Sequence, residues 1–379
     1  RVTRSLVYLQ QKLVINGKNV VLRGGFADCQ QVAPDAILTR IDGTGGATGS
    51  VVEFKGFTDE VGLSNLEITG GDASRGGGVH VHEGPHTRVL LSNLFVHHNS
   101  ASYGGGVYVA QQGPVQLEAV RLENNTASLY GGGLGCEVGN VQFFGSSSVR
   151  NNTALGGGGI GIRGFGTTCA VDFTSDAAFA LYNNSAGSGG GIFAEQGQVR
   201  VYTSNPSAPV SILGNLATVA GGAISVSFSA RVATYNTVIA ANSAPIGGAV
   251  HADSRGFVGP TVVVFVASSR PPVDLPDAVA GCDEVFDCNR ISGNVAANGA
   301  IPGAGAAFYL RRRAEVYLEG TRVTQNEGNS LILEQEEAGE FIRFKADGAL
   351  IDRNSVSLLA PAGGAHQPAG GLGGQPGLS

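Results

Sequence analysis

Asn99-Ser100-Ala101-Ser102-Tyr103-Gly104-Gly105-Gly106-Val107 is one copy of a phrase that decides the fold: an asparagine, a short run, glycines, then an aliphatic residue. The phrase returns from Asn125 to Gly131-Gly132-Gly133-Leu134, from Asn152 to Gly157-Gly158-Gly159-Ile160 and from Asn184 to Gly189-Gly190-Gly191-Ile192. Asn215 leads to Gly221-Gly222-Ala223-Ile224, and Asn242 to Gly247-Gly248-Ala249-Val250. Weaker copies precede these at Gly71…Gly76-Gly77-Gly78-Val79 and follow at Asn294, Asn326 and Asn354. Successive asparagines stand 26 residues apart from Asn99 to Asn125 and 32 apart from Asn152 to Asn184. A near-fixed period of this length means units that stack, because one unit alone has nothing to cover its apolar face.

The units are rich in Gly, Asn, Ser and Thr, which disfavour helix interiors. Between the turn residues lie short alternating runs such as Val79-His80-Val81-His82, Val115-Gln116-Leu117-Glu118 and Val199-Arg200-Val201-Tyr202. Alternation bounded by Gly and Asn is a strand signal. Two or three short strands per unit describe one coil of an all-β parallel β-helix, here a solenoid of about a dozen coils forming a single domain. Neighbouring coils would lie about 4.8 Å apart. The asparagines Asn99, Asn125, Asn152, Asn184, Asn215 and Asn242 should then form an amide ladder, each taking a left-handed turn conformation. Glycines at the next corner allow positive φ and close approach of coils.

Phrases such as Phe95-Val96-His97-His98-Asn99 and Gly221-Gly222-Ala223-Ile224 resemble the paired FxxN and GGAI repeats of polymorphic outer membrane proteins and related bacterial passenger domains. The resemblance covers roughly residues 60–355 and implies a right-handed helix of the pectate-lyase-like class on a bacterial surface. That family's C-terminal membrane barrel is not part of this chain.

Residues 1–58 read as an N-terminal cap with the first coils, and 59–358 as the β-helix. An inserted loop at 259–293 interrupts the rhythm, and 359–379 read as a flexible Gly/Pro-rich tail. The 379 residues include 60 Gly and no Met or Trp. The missing initiator Met points to a mature or trimmed chain. No apolar run reaches transmembrane length, and the net charge of −6 argues against a nucleic-acid partner. Of the five cysteines, Cys282 and Cys288 enclose a short loop suited to a local disulfide in an oxidising compartment. Cys136 reads as a small core residue in phase with Val109 and Ile162, while Cys29 and Cys169 have no assignable partner.

Aligning coils on their glycine runs places alternate residues of the next strand outward. The first outward column is His80, Tyr108, Gly135, Gly161, Phe193, Ser225, His251 and Tyr309. The second is His82, Ala110, Glu137, Arg163, Glu195, Ser227, Asp253 and Arg311. Glu137, Arg163, Glu195 and Asp253 are the catalytic set if the protein is an enzyme, since carboxylates gathered on one face suit acid/base chemistry on a glycan. A solvated charge ladder that supports stacking explains the same residues. Tyr108, Phe193, His251 and Arg311 are candidate ligand-binding residues, with Tyr103 and Tyr130 as further sugar-stacking rings. Arg311-Arg312-Arg313 could hold an acidic glycan or phosphate; the middle residue of three in a strand faces the other side, so Arg312 either pairs internally or marks a strand end. His80 and His82 share a face and are weak metal candidates; otherwise no metal or cofactor is expected, with calcium possible for a lyase.

These features support an extracellular or bacterial cell-surface protein acting in adhesion or extracellular assembly, with a surface or matrix glycan or protein as partner. A polysaccharide lyase or glycoside hydrolase and an inert stalk are the alternatives, and the sequence sets no oligomeric state.

Overall fold

The computed structural model describes residues 2–3, 7–28, 30–84, 87–164, 169–174, 179–202, 209–254, 261–265, 289–298, 301–302, 304–334, 342–347 and 349–354. Cys29, Cys282 and Cys288, most of the 259–293 insertion and the 359–379 tail therefore lie outside the described residues.

The molecule is an all-β parallel solenoid. One inward column runs in unbroken parallel register from Leu13 through Val52, Val79, Val107, Leu134, Ile160, Ile192, Ile224, Val250 and Phe308 to Leu331. From Val52 to Phe308 these side chains are buried. Each is a β-branched or large apolar residue, the kind that packs well on a pleated surface facing a closed core. Coils such as Ile192–Glu195, Gly197–Tyr202 and Val210–Leu213 supply three strands, followed by a fourth, Leu216–Ala220. The fourth strands stack into their own column from Asp72–Arg75 to Val295–Asn298. The core also holds a cluster of Phe143, Phe173 and Phe179, with ring centroids 4.4 to 5.1 Å apart. Among the described residues no helix is long and apolar enough to cross a membrane.

Nine asparagines, Asn99 to Asn354, form the ladder. Asn125 Oδ1 accepts from both the backbone N–H (3.1 Å) and the Nδ2 (3.0 Å) of Asn99, and Asn125 Nδ2 donates to Val96 O at 3.0 Å in the coil before. The same set repeats through Asn152, Asn184, Asn215, Asn242, Asn294 and Asn326, ending on Asn354 Oδ1. At the other end Gly71 N donates to Asn99 Oδ1. Every amide is therefore satisfied although Asn125 to Asn294 are completely buried.

One expectation at this corner is corrected. The ladder asparagines are not left-handed; the residue before each is, as at His98 (φ 51°), Asn124 (53°), Asn151 (55°), Asn183 (55°) and Ala241 (56°). The preceding residue turns the chain so that the asparagine side chain can enter the core. The three glycines then do different jobs. Gly189 takes φ 64°. A Cβ on Gly190 would meet Gly222 O and Leu216 O at 2.5 and 2.6 Å. The third position accepts alanine, as at Ala223 and Ala249.

Cys136 does face inward beside Val109 and Ile162, but it is not a lone core residue: it forms a disulfide with Cys169, 33 residues on. The bridge staples strand Leu134–Phe144 of one coil to strand Cys169–Thr174 of the next.

Candidate functional site

The outward columns keep the register that alternation implies, except that a bulge interrupts the second at Glu137; Asp253, in that column, is buried. His80, Tyr108, Gly135, Gly161, Phe193, Ser225, His251 and Tyr309 are register partners in succession. In the second column Ala110 pairs with Val138, leaving Glu137 as the extra residue of a β-bulge. A bulge re-aims its side chain. Glu137 consequently accepts a hydrogen bond from the Tyr108 hydroxyl and lies 3.7 Å from the Arg75 guanidinium.

Gly135 and Gly161 stand in the first column between Tyr108 and Phe193, with the backbone of Gly104 and Gly131 packed close against them. A shallow, solvent-open cleft of about 40 Å³ lies beside them, lined by Arg75, Tyr103, Tyr108, Tyr130, Glu137 and Arg163. Tyr103 and Tyr130 come from the neighbouring fourth-strand column and stack at 6.1 Å, and Tyr130 stacks on Phe193 at 5.4 Å. Arg163 lies 4.7 Å over the Tyr130 ring and binds Glu195 at 3.0 Å, and Arg75 lies 5.5 Å over Tyr108. The cleft thus has aromatic walls, a backbone floor and a rim of alternating charge. Tyr108 is nearly buried and forms a wall with its edge. Burial, reinforced by the bond to Glu137, raises its phenol well above the ordinary range, and burial likewise raises Tyr130.

The remaining predicted residues fall elsewhere. Asp253 is buried and held by Arg312, which thus pairs internally; Arg312 adopts φ 59°. Asp253 therefore does not stand on an open face with Glu195. Arg311 lies 3.6 Å from Glu334, and His251 contacts Ser225 Oγ at 3.2 Å and stacks on Tyr309. Neither lines the cleft.

At the other end of the columns, His80 and His82 stack with centroids 4.0 Å apart and Glu53 joins them from the preceding coil. One donor atom from each of the three lies within 4.8 Å of the others. His82 Nε2 is 3.0 Å from Glu53 Oε1 and its Nδ1 is 3.4 Å from Glu83. Burial pushes His80 down to about 3. Glu53 is lowered: its burial works the other way, and the His82 bond and Lys55 outweigh it.

Sequence reasoning missed Arg75 and Glu53. Glu53 sits one coil from His80 and His82, and Arg75 one coil from Tyr108 and two from Glu137; only the exact register reveals such neighbours. Comparison with protein-family models, curated proteins and solved structures finds no match to this chain.

Proposed function

We propose that this chain is a secreted or cell-surface β-solenoid that binds a glycan without turning it over, acting in adhesion or extracellular assembly. The observation that carries the reading is the cleft floored by Gly135 and Gly161, walled by Tyr103, Tyr108 and Tyr130 and rimmed by Arg75, Glu137 and Arg163. Aromatic faces suit the apolar face of a sugar ring, and the charged rim suits its hydroxyls or carboxylates. The non-catalytic part rests on the carboxylates. Glu137 is bound by Tyr108 and Arg75, Glu195 by Arg163, and Asp253 by Arg312. Glu137 and Glu195 also stand two coils apart, about 9.6 Å along the axis, at the outer limit for an inverting pair. The repeat's likeness to polymorphic outer membrane protein passengers, with their right-handed helix and bacterial surface location, belongs to this proposal.

The test is a panel of acidic and neutral polysaccharides, assayed for saturable binding and for release of reducing or unsaturated ends, with and without calcium. Binding weakened about tenfold by Tyr130→Ala, with no turnover, is expected. Turnover that Glu195→Gln abolishes would establish the hydrolase or lyase instead, and an absence of any binding would leave the stalk.

A further inference from the structure

Two histidines at alternate positions of Val79–His82 necessarily point to one side of the sheet. Their backbones are roughly 6.7 Å apart, yet their rings converge to 4.0 Å and lie within 13° of parallel. Glu53, the register partner of His80, reaches the same spot from the preceding coil. A Glu53–His82 hydrogen bond alone accounts for those two side chains, but it leaves His80 unexplained. His80 Nε2 is buried and has no hydrogen-bond partner. A buried imidazole nitrogen with no partner costs free energy unless something occupies its lone pair or proton.

We propose that Glu53, His80 and His82 bind a divalent transition-metal ion of the zinc class. Two imidazoles and one carboxylate select such an ion over calcium or magnesium, which take oxygen ligands. Three protein ligands leave a tetrahedral position for water or an external ligand. Glu83 supplies the outer contact: its carboxylate, 3.4 Å from His82 Nδ1, orients the ring so that Nε2 faces Glu53. Lys55, 3.5 Å from Glu53 Oε1, is the group the ion displaces, and its long stem lets it withdraw to solvent. The site is independent of the glycan reading. The next coil carries Tyr108 and Ala110 at the two histidine positions, so the pair is not a feature of the repeat.

The experiment uses the full chain, freed of metal by dialysis against a chelator, and titrated with Zn2+ by calorimetry and with Co2+ by visible absorption. One Zn2+ per chain is expected, with a Co2+ spectrum of low-coordinate nitrogen and oxygen ligands. His80→Tyr and His82→Ala copy the residues of the next coil and so preserve packing; each should weaken binding at least about tenfold. Glu53→Gln should weaken it similarly, while His97→Ala and His251→Ala should leave it unchanged. No binding by the parent chain, or equal binding by His80→Tyr and His82→Ala, would overturn the site. Circular dichroism matching the parent confirms that a loss reflects ligands rather than folding.

Discussion

The asparagine corner and the outward face of the strand that follows it lie only a few residues apart, yet they obey opposite rules. At the corner the same side chain recurs with the same three partners, completely buried from Asn125 to Asn294. Along the outward column His80 gives way to Tyr108, then to two glycines, Phe193, Ser225 and His251. The corner must match its neighbours on both sides because its amides have no water to fall back on. The outward face has no such obligation, and its differences build a cleft in one place and a histidine pair in another.

Breaking the corner should do the most damage. Asn184→Ala removes the acceptor for Asn152 N and Nδ2 and the donor to Val149 O and Asn215 Oδ1. We expect a loss of about 4 kcal/mol in urea unfolding, from buried groups left unpaired. The glycines sharpen the contrast within one corner. Gly190→Ala drives a methyl into two backbone oxygens and should cost about 2–3 kcal/mol, whereas Gly191→Ala meets one, Ala223 O at 2.7 Å, at a position where the next coil carries alanine, and should cost about 1 kcal/mol. On the outward face Phe193→Ser copies Ser225 of the next coil; stability should change by no more than about 1 kcal/mol. A larger loss would show that this face is part of the structural repeat after all.

The smallest expected effect is electrostatic. His97 is held below its ordinary value of 6.5 by burial, against the pull of Glu67. The unfolded chain therefore binds a proton that the folded chain resists, so stability is full above pH 6.5 and declines as pH falls below it. His97→Gln should show a shallower decline in melting temperature over that range; identical curves would place the proton elsewhere.

The solenoid and the outward columns were legible in the sequence because a fixed glycine run sets the phase of each following strand, and strand alternation does the rest. Three features escaped that phase. Glu137 belongs to a bulge, and an extra residue in one strand is invisible to alternation. The left-handed turn sits one residue before the asparagine, at positions as varied as His98, Asn183 and Ala241. The Cys136–Cys169 bridge joins consecutive coils across corners of irregular length, so no spacing announced it.

By itself the sequence determined that identical units stack in parallel, which residues enter the core and which face out. Those follow from periods of about 28 and of two residues, which are local properties of the chain. Only the tertiary structure decided which outward residues meet: Arg75 with Tyr108 and Glu137, Glu53 with His80 and His82, Arg312 with Asp253. The physical reason is that these contacts run between coils. Their partners are fixed by the stacking register and by the length of each intervening corner, and a single bulged residue is enough to change which side chains touch.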